Sequence, residues 1–140
     1  FNMIFQQQLS FHTQPRSTEN ITSNVQDIVD KSGVKTGTCH VFVQHTSASL
    51  MLCENADPDV RRDLETYMQH IVPDGDPMFL HQDEGPDDMS AHIRTVLTNP
   101  DLTMPVSDGQ CDLGIWQGIY LWEHRTQRHN RKVIMTVMGE

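Results

Sequence analysis

The chain has no glycine-rich phosphate loop, no HExxH helix, no serine elbow, no internal repeat and no low-complexity tract. Lacking the phosphate loop, it has nothing to cradle a nucleotide at the switch point of a doubly wound sheet, so that class is set aside. Basic residues are scarce: ten Lys and Arg against nineteen Asp and Glu leave a net charge of −9. So acidic a chain is a poor partner for a nucleic-acid backbone or an anionic membrane surface. An anionic small substrate then needs a local basic patch or a metal. No apolar run approaches the ~20 residues of a spanning helix, and no charged-then-apolar leader is visible, so the expectation is a cytoplasmic protein. Cys39, Cys53 and Cys111 are three in number and unpaired in spacing, which fits reduced thiols rather than a disulfide frame. At 140 residues, the chain is read as a single domain spanning 1–140.

What is present is mostly alternation. Met3 to Thr13 reads as a strand that stops at Gln14-Pro15-Arg16, with a short second strand after it. Ser23 with Gln26 has the spacing of a capping box, and Val25, Ile28 and Val29 form the apolar face of a helix closed by Ser32-Gly33. Thr38 to Gln44 is β-branched and aromatic, with Cys39, Val41, Val43 and His45 in phase on its buried side. The next stretch, His45 to Asp57, reads as a loop rich in functional groups. Asp57 then caps a helix with Pro58 in its first position and Val60, Leu64, Tyr67, Met68 and Ile71 at helical spacing. Met78 to Pro86 has no period and reads as a loop. Asp87 or Asp88 caps a further short helix whose expected apolar face is Met89, Ile93, Val96 and Leu97. Leu102 to Val106 reads as a strand entering an Asp108-Gly109 hairpin, with Pro105 marking an edge or bulge. Ile115 to Glu123 alternates with both faces covered, which predicts a central strand or an oligomer interface. A basic turn, Arg125 to Arg131, leads into a last strand through Val133, Met135 and Val137. These elements make an α+β domain, mainly an antiparallel two-sheet β-sandwich with two to three short helices.

Three histidines stand apart from the rest: His45 at a strand end, His81 in the acidic loop and His92 on the helix that follows. No local motif links them, but three neutral imidazoles with an open fourth position would polarise a phosphate or activate water. The alternative makes His92 a half-buried helix residue and His81 a solvated one. Glu123 shares a strand face with Ile119 and Leu121, where a carboxylate is costly unless paired or metal-bound. Pairing with Arg125 or Arg128 competes there with a functional role. Gln117, in phase with Glu123, either orients a ligand or bonds a neighbouring strand. Asp57 is nearly accounted for as a helix cap, whereas Glu54 and Asn55 beside it can line a site at a helix N-terminus. Ser47 and Ser49 sit near His45 without an elbow and are expected to bond backbone or phosphate. Asp83, Glu84, Asp87 and Asp88 form either a solvated acidic loop or a place for Mg²⁺. Arg125, Arg128, Arg131 and Lys132 concentrate positive charge, either as an ordinary basic turn or as a place where a phosphate or pyrophosphate docks.

Four stretches taken together resemble one family. They are His45-Thr-Ser-Ala-Ser-Leu with Glu54-Asn55-Ala-Asp57-Pro58, the loop-helix from His81 to Ile93, the strand from Leu113 through Glu123 to Arg125, and the final Gly139-Glu140. In this order they look like the YjbQ-like family, now named secondary thiamine-phosphate synthase. The resemblance implies an α+β or β-sandwich homotrimer with pockets near subunit boundaries. It also implies a weak synthase activity that joins a pyrimidine pyrophosphate to a thiazole phosphate with loss of pyrophosphate. Positions matching the family's motif residues are His45, Asn55, Asp57, His81, His92, Gln117, Glu123 and Arg125. On that reading His45, His81 and His92 hold a divalent metal, zinc or magnesium. His45, Asp57, Glu123 and Arg125 carry the chemistry, and Ser47, Asn55 and Gln117 bind substrate. Two further readings use the same residues: a metal-dependent hydrolase of a small phosphorylated metabolite, and a non-catalytic trimer that binds a metal or small molecule.

Overall fold

Along the chain run β1 (Met3–His12), β2 (Thr18–Asn20), α1 (Thr22–Ser32), β3 (Gly37–Val43), β4 (Ala48–Glu54), α2 (Pro58–Ile71), α3 (Asp88–Leu97), β5 (Asp101–Ser107), β6 (Gln110–Cys111), β7 (Gln117–Glu123) and β8 (Asn130–Gly139). The computed structural model describes residues 2–140. All strand pairing is antiparallel: a five-stranded sheet in the order β1-β8-β3-β5-β6 and a three-stranded sheet in the order β2-β7-β4. With three helices, this is the α+β two-sheet architecture expected from the alternation.

The core forms where the inward positions of both sheets meet α1. Cys39, Val41 and Val43 of β3 and Val133, Met135 and Val137 of β8 come from the larger sheet; Ala48, Leu50, Ile119 and Leu121 come from the smaller one. Val25, Ile28 and Val29 close the core from α1. The opposite face of the smaller sheet carries Met51, Tyr120 and Trp122, against which Leu64 and Met68 of α2 pack. β7 is therefore a central strand covered on both sides, which explains why its sequence shows no polar face. Gly37 and Gly139 face each other across β3 and β8. A Cβ on Gly37 would lie 1.9 Å from the Met138 carbonyl oxygen, so the backbones meet where no side chain fits.

Three local expectations are corrected. The capping box at Ser23 and Gln26 does not form: Asn20 Oδ1 accepts from Thr22 N and Oγ1, while Gln26 reaches Asp30, Gly109 and Cys111. His45 to Asp57 is not a loop throughout, because residues 48–54 are β4, hydrogen-bonded to β7 and buried from Ala48 to Met51. The third correction is the face of α3. Val96 and Leu97 are 82% and 57% exposed, while Asp88, Ser90, Ala91 and Arg94 are buried. Polar partners decide this orientation, since Arg94 Nη1 donates to both oxygens of Glu65 at 2.9 Å and Ser90 Oγ donates to Asp74. Buried charges need partners, and here Glu65 and Asp74 supply them on this face.

Candidate metal centre

α3 begins with two buried acids, and the second gathers the site. Asp88 Oδ2 lies 2.7 Å from His81 Nε2 and 3.2 Å from His92 Nε2. The spacing Asp88 to His92 is one helical turn, so both side chains leave α3 on one face; His81 arrives from the loop ahead. Its ring meets that of His92 edge-on, with centroids 5.4 Å apart. One donor atom from each of the three residues lies within 4.8 Å of the others. The Asp88 side chain is 3% exposed, whereas His81 and His92 are 43% and 34% exposed. The trio thus combines one buried anionic oxygen with two nitrogen donors that open to solvent. A cleft of about 260 Å³ borders it, lined by Gly75, Asp76, Phe79, His81, Gln82, Gly85 and Pro86. Two imidazoles and a carboxylate suit zinc or another transition metal and leave positions open. Magnesium, which prefers an all-oxygen shell, fits this donor set less well.

Arg125, just beyond β7, holds the acids. Its Nε donates to Asp87 Oδ2 at 2.8 Å, its Nη1 lies 2.9 Å from Asp88 Oδ1, and its Nη2 donates to the Glu84 carbonyl at 2.9 Å. Thr126 N donates to Asp87 Oδ2 at 2.9 Å. Burial alone would raise the Asp87 carboxyl, but Arg125 and Thr126 outweigh it and hold it down to about 2. In Asp88, too, burial is outweighed, by the His81 hydrogen bond and the Arg125 charge, and the carboxyl stays below its usual range.

Of the three histidines expected to share a metal, the structure brings together His81 and His92, and the third donor beside them is Asp88. His45 lies at the end of β3, outside that trio, with its Nε2 accepting from Lys132 N at 2.8 Å. Burial, then the neighbouring Arg131 charge, lowers its pKa. Glu123 is fully buried, and its counter-charge is Arg131 rather than Arg125 or Arg128. Arg131 Nε donates to Oε1 at 2.7 Å and Nη2 to Oε2, while Thr13 Oγ1 donates at 2.6 Å and Arg125 N at 3.1 Å. Ser47 joins this network through Oγ, which accepts from Arg131 Nη2 at 2.9 Å. Asp57 is the α2 cap, accepting from Asp59 N at 2.9 Å. Asn55 donates to the Ile115 carbonyl at 3.3 Å, and Gln117 Oε1 accepts from Gly114 N at 2.7 Å, so both shape the turn before β7.

Two features are not resolved by motif. Asp88 is one of four acids read as a solvated loop or a place for Mg²⁺, and its one-turn spacing to His92, which joins it to the histidines, is hidden by the other three. His124 had no such signal. It is fully buried, with Nε2 2.7 Å from Ser49 Oγ and its ring 5.0 Å from Trp122. Burial, then the charges of Arg94, Arg16 and Arg131, lower its pKa to about 3, so it is neutral.

The profile of the family described as UPF0047 protein YjbQ-like matches residues 7–140. A UPF0047 protein of Synechocystis is 50% identical over 135 residues, covering 96% of this chain and 92% of its own. The UPF0047 protein YjbQ of Salmonella typhimurium is 41% identical over 139 residues, covering 99% of this chain and all of its own. Among solved structures, a YjbQ/UPF0047-family protein of Clostridium acetobutylicum superposes with a TM-score of 0.85 at 34% identity, over 93% of this chain and 98% of the other. A protein of unknown function from Sulfolobus solfataricus superposes with a TM-score of 0.87 at 26% identity, over the whole of both chains.

Proposed function

The chain belongs to the YjbQ-like UPF0047 family, and from that premise we propose that it is a metal-dependent enzyme acting on a small phosphorylated metabolite at His81, Asp88 and His92. The observation that carries the reading is the meeting of two half-open imidazoles on one buried carboxylate beside a cleft. The reaction we assign first is thiamine-phosphate synthesis of weak turnover, joining a pyrimidine pyrophosphate to a thiazole phosphate. A divalent metal, when bound, supplies Lewis-acid neutralisation of charge on a phosphate or pyrophosphate oxygen. Asp88 provides the anionic donor, His81 and His92 the neutral ones, and Phe79 and Pro86 give the cleft apolar walls. Displacement with a pyrophosphate leaving group asks little covalent help of the protein, which agrees with a site built without a nucleophile. The protein acts in the cytoplasm as a homotrimer on this account; Ile115 and Trp116, 83% and 61% exposed, support an interface beyond the single chain.

A second reaction, metal-assisted hydrolysis of one phosphorylated substrate, is favoured by the nitrogen-rich donor set, which resembles sites that activate water. The two are separated by incubating zinc-loaded protein with the pyrimidine pyrophosphate alone, the thiazole phosphate alone, and both together. Thiamine phosphate formed only from the pair, and lost in Asp88→Asn, supports the synthase. Phosphate released from either half alone transfers the assignment to the hydrolase, and no turnover by any sample leaves a binding trimer.

A further inference from the structure

Each guanidinium nitrogen of Arg125 already has an acidic or carbonyl partner in the protein. Nε is engaged by Asp87, Nη1 by Asp88 and Nη2 by the Glu84 carbonyl, all within 2.9 Å, and the side chain is 11% exposed. Its own backbone N–H is tied to buried Glu123, which Arg131 anchors in the core. One residue therefore fastens three points of the segment from Glu84 to Asp88 to the end of β7.

The division of Asp88's two oxygens is what matters for the metal. Arg125 occupies the Oδ1 side, and both histidines are drawn to Oδ2. We propose that Arg125 is a positioning residue: by holding Asp88 through Oδ1 it presents a single carboxylate oxygen to the metal between His81 and His92, and so sets the affinity and geometry of the centre. The inference rests on the metal reading above. Without Arg125, a carboxylate that is 3% exposed loses the guanidinium 2.9 Å from its Oδ1 and is free to turn or to chelate through both oxygens. With Arg125 in place, a one-oxygen carboxylate leaves coordination positions open, as a catalytic rather than a structural site requires.

The test is a Co²⁺ titration of the purified protein, reading the visible absorption bands and the Kd by chelator competition, for wild type, Arg125→Met and Arg125→Lys. Loss of a partner to a ligating carboxylate weakens binding by roughly 10- to 100-fold. That is the loss expected in Arg125→Met, together with altered band energies, and with partial recovery in Arg125→Lys. Binding of inorganic pyrophosphate at saturating Co²⁺ is followed in the same three proteins. Unchanged Co²⁺ affinity and bands with loss of pyrophosphate binding would return Arg125 to the substrate and overturn the proposal. If Arg125→Met fails to fold, Arg125→Lys decides: lysine cannot reach Asp87, Asp88 and Glu84 together, so wild-type Co²⁺ affinity in that variant overturns the proposal. A wild-type protein that binds no Co²⁺ overturns the metal reading with it, whereas wild-type binding that Arg125→Met leaves intact overturns this inference alone.

Discussion

Glu123→Gln separates a structural from a catalytic Glu123. The carboxylate is fully buried and accepts from Thr13, from Arg131 twice and from the Arg125 backbone. Glutamine has nearly the same shape, but one of its two terminal atoms becomes a donor that faces other donors. It also strips Arg131, 4% exposed, of its counter-charge. Breaking such a buried pair from one side costs about 3–5 kcal/mol. With about 2.1 cal/mol/K of unfolding entropy per residue over 140 residues, ΔS is ~0.3 kcal/mol/K, and the expected fall in Tm is about 10–17 °C. Thermal melts followed by circular dichroism measure it. The double variant Glu123→Gln/Arg131→Met should lose less than the sum of the two single variants, because the second change removes the orphaned charge. A Tm within about 3 °C of wild type, with activity abolished, would refute the reasoning and restore Glu123 to the chemistry.

The buried neutral His124 predicts a pH dependence of stability. Its pKa in the fold is about 3 against an ordinary 6.5. The unfolded chain therefore binds a proton that the fold refuses between those values, and stability present above 6.5 is lost as pH falls toward 3. The slope reaches up to about 1.4 kcal/mol per pH unit. Urea midpoints at pH 7 and pH 5 should diverge more in wild type than in His124→Asn, and equal divergence would show that His124 is not the group responsible. Asp57→Ala removes the cap of α2 and should cost about 1 kcal/mol by urea unfolding, with turnover per folded molecule retained. Lost turnover at wild-type stability would assign Asp57 to the reaction instead.

Elements whose burial follows period were legible from sequence: β1, β3 and β8 alternate, and the Asp57-Pro58 start of α2 is local chemistry. The buried face of α3 was not, because it is chosen by Glu65, Asp74 and Arg125, residues remote in sequence. β4 was hidden for a related reason: with a sheet core on one side and helices on the other, it has no polar face to alternate. Glu123 was legible as a carboxylate in need of a partner. Which partner it took depended on β8 lying beside β1, which brings Arg131 and Thr13 to the same carboxylate. His81 and His92 were singled out by residue type, but the register joining them is carried by Asp88, whose signal was diluted among neighbouring acids. His45 and Lys132, 87 positions apart, meet only once β3 and β8 pair.

The metal content of purified protein after exhaustive dialysis, measured for wild type, His45→Ala, His81→Ala, Asp88→Asn and His92→Ala, bears most directly on the centre. The trio predicts near-stoichiometric metal in wild type and in His45→Ala, and its loss in the other three. Metal retained in Asp88→Asn but lost in His45→Ala, or absent from every folded sample, would contradict it.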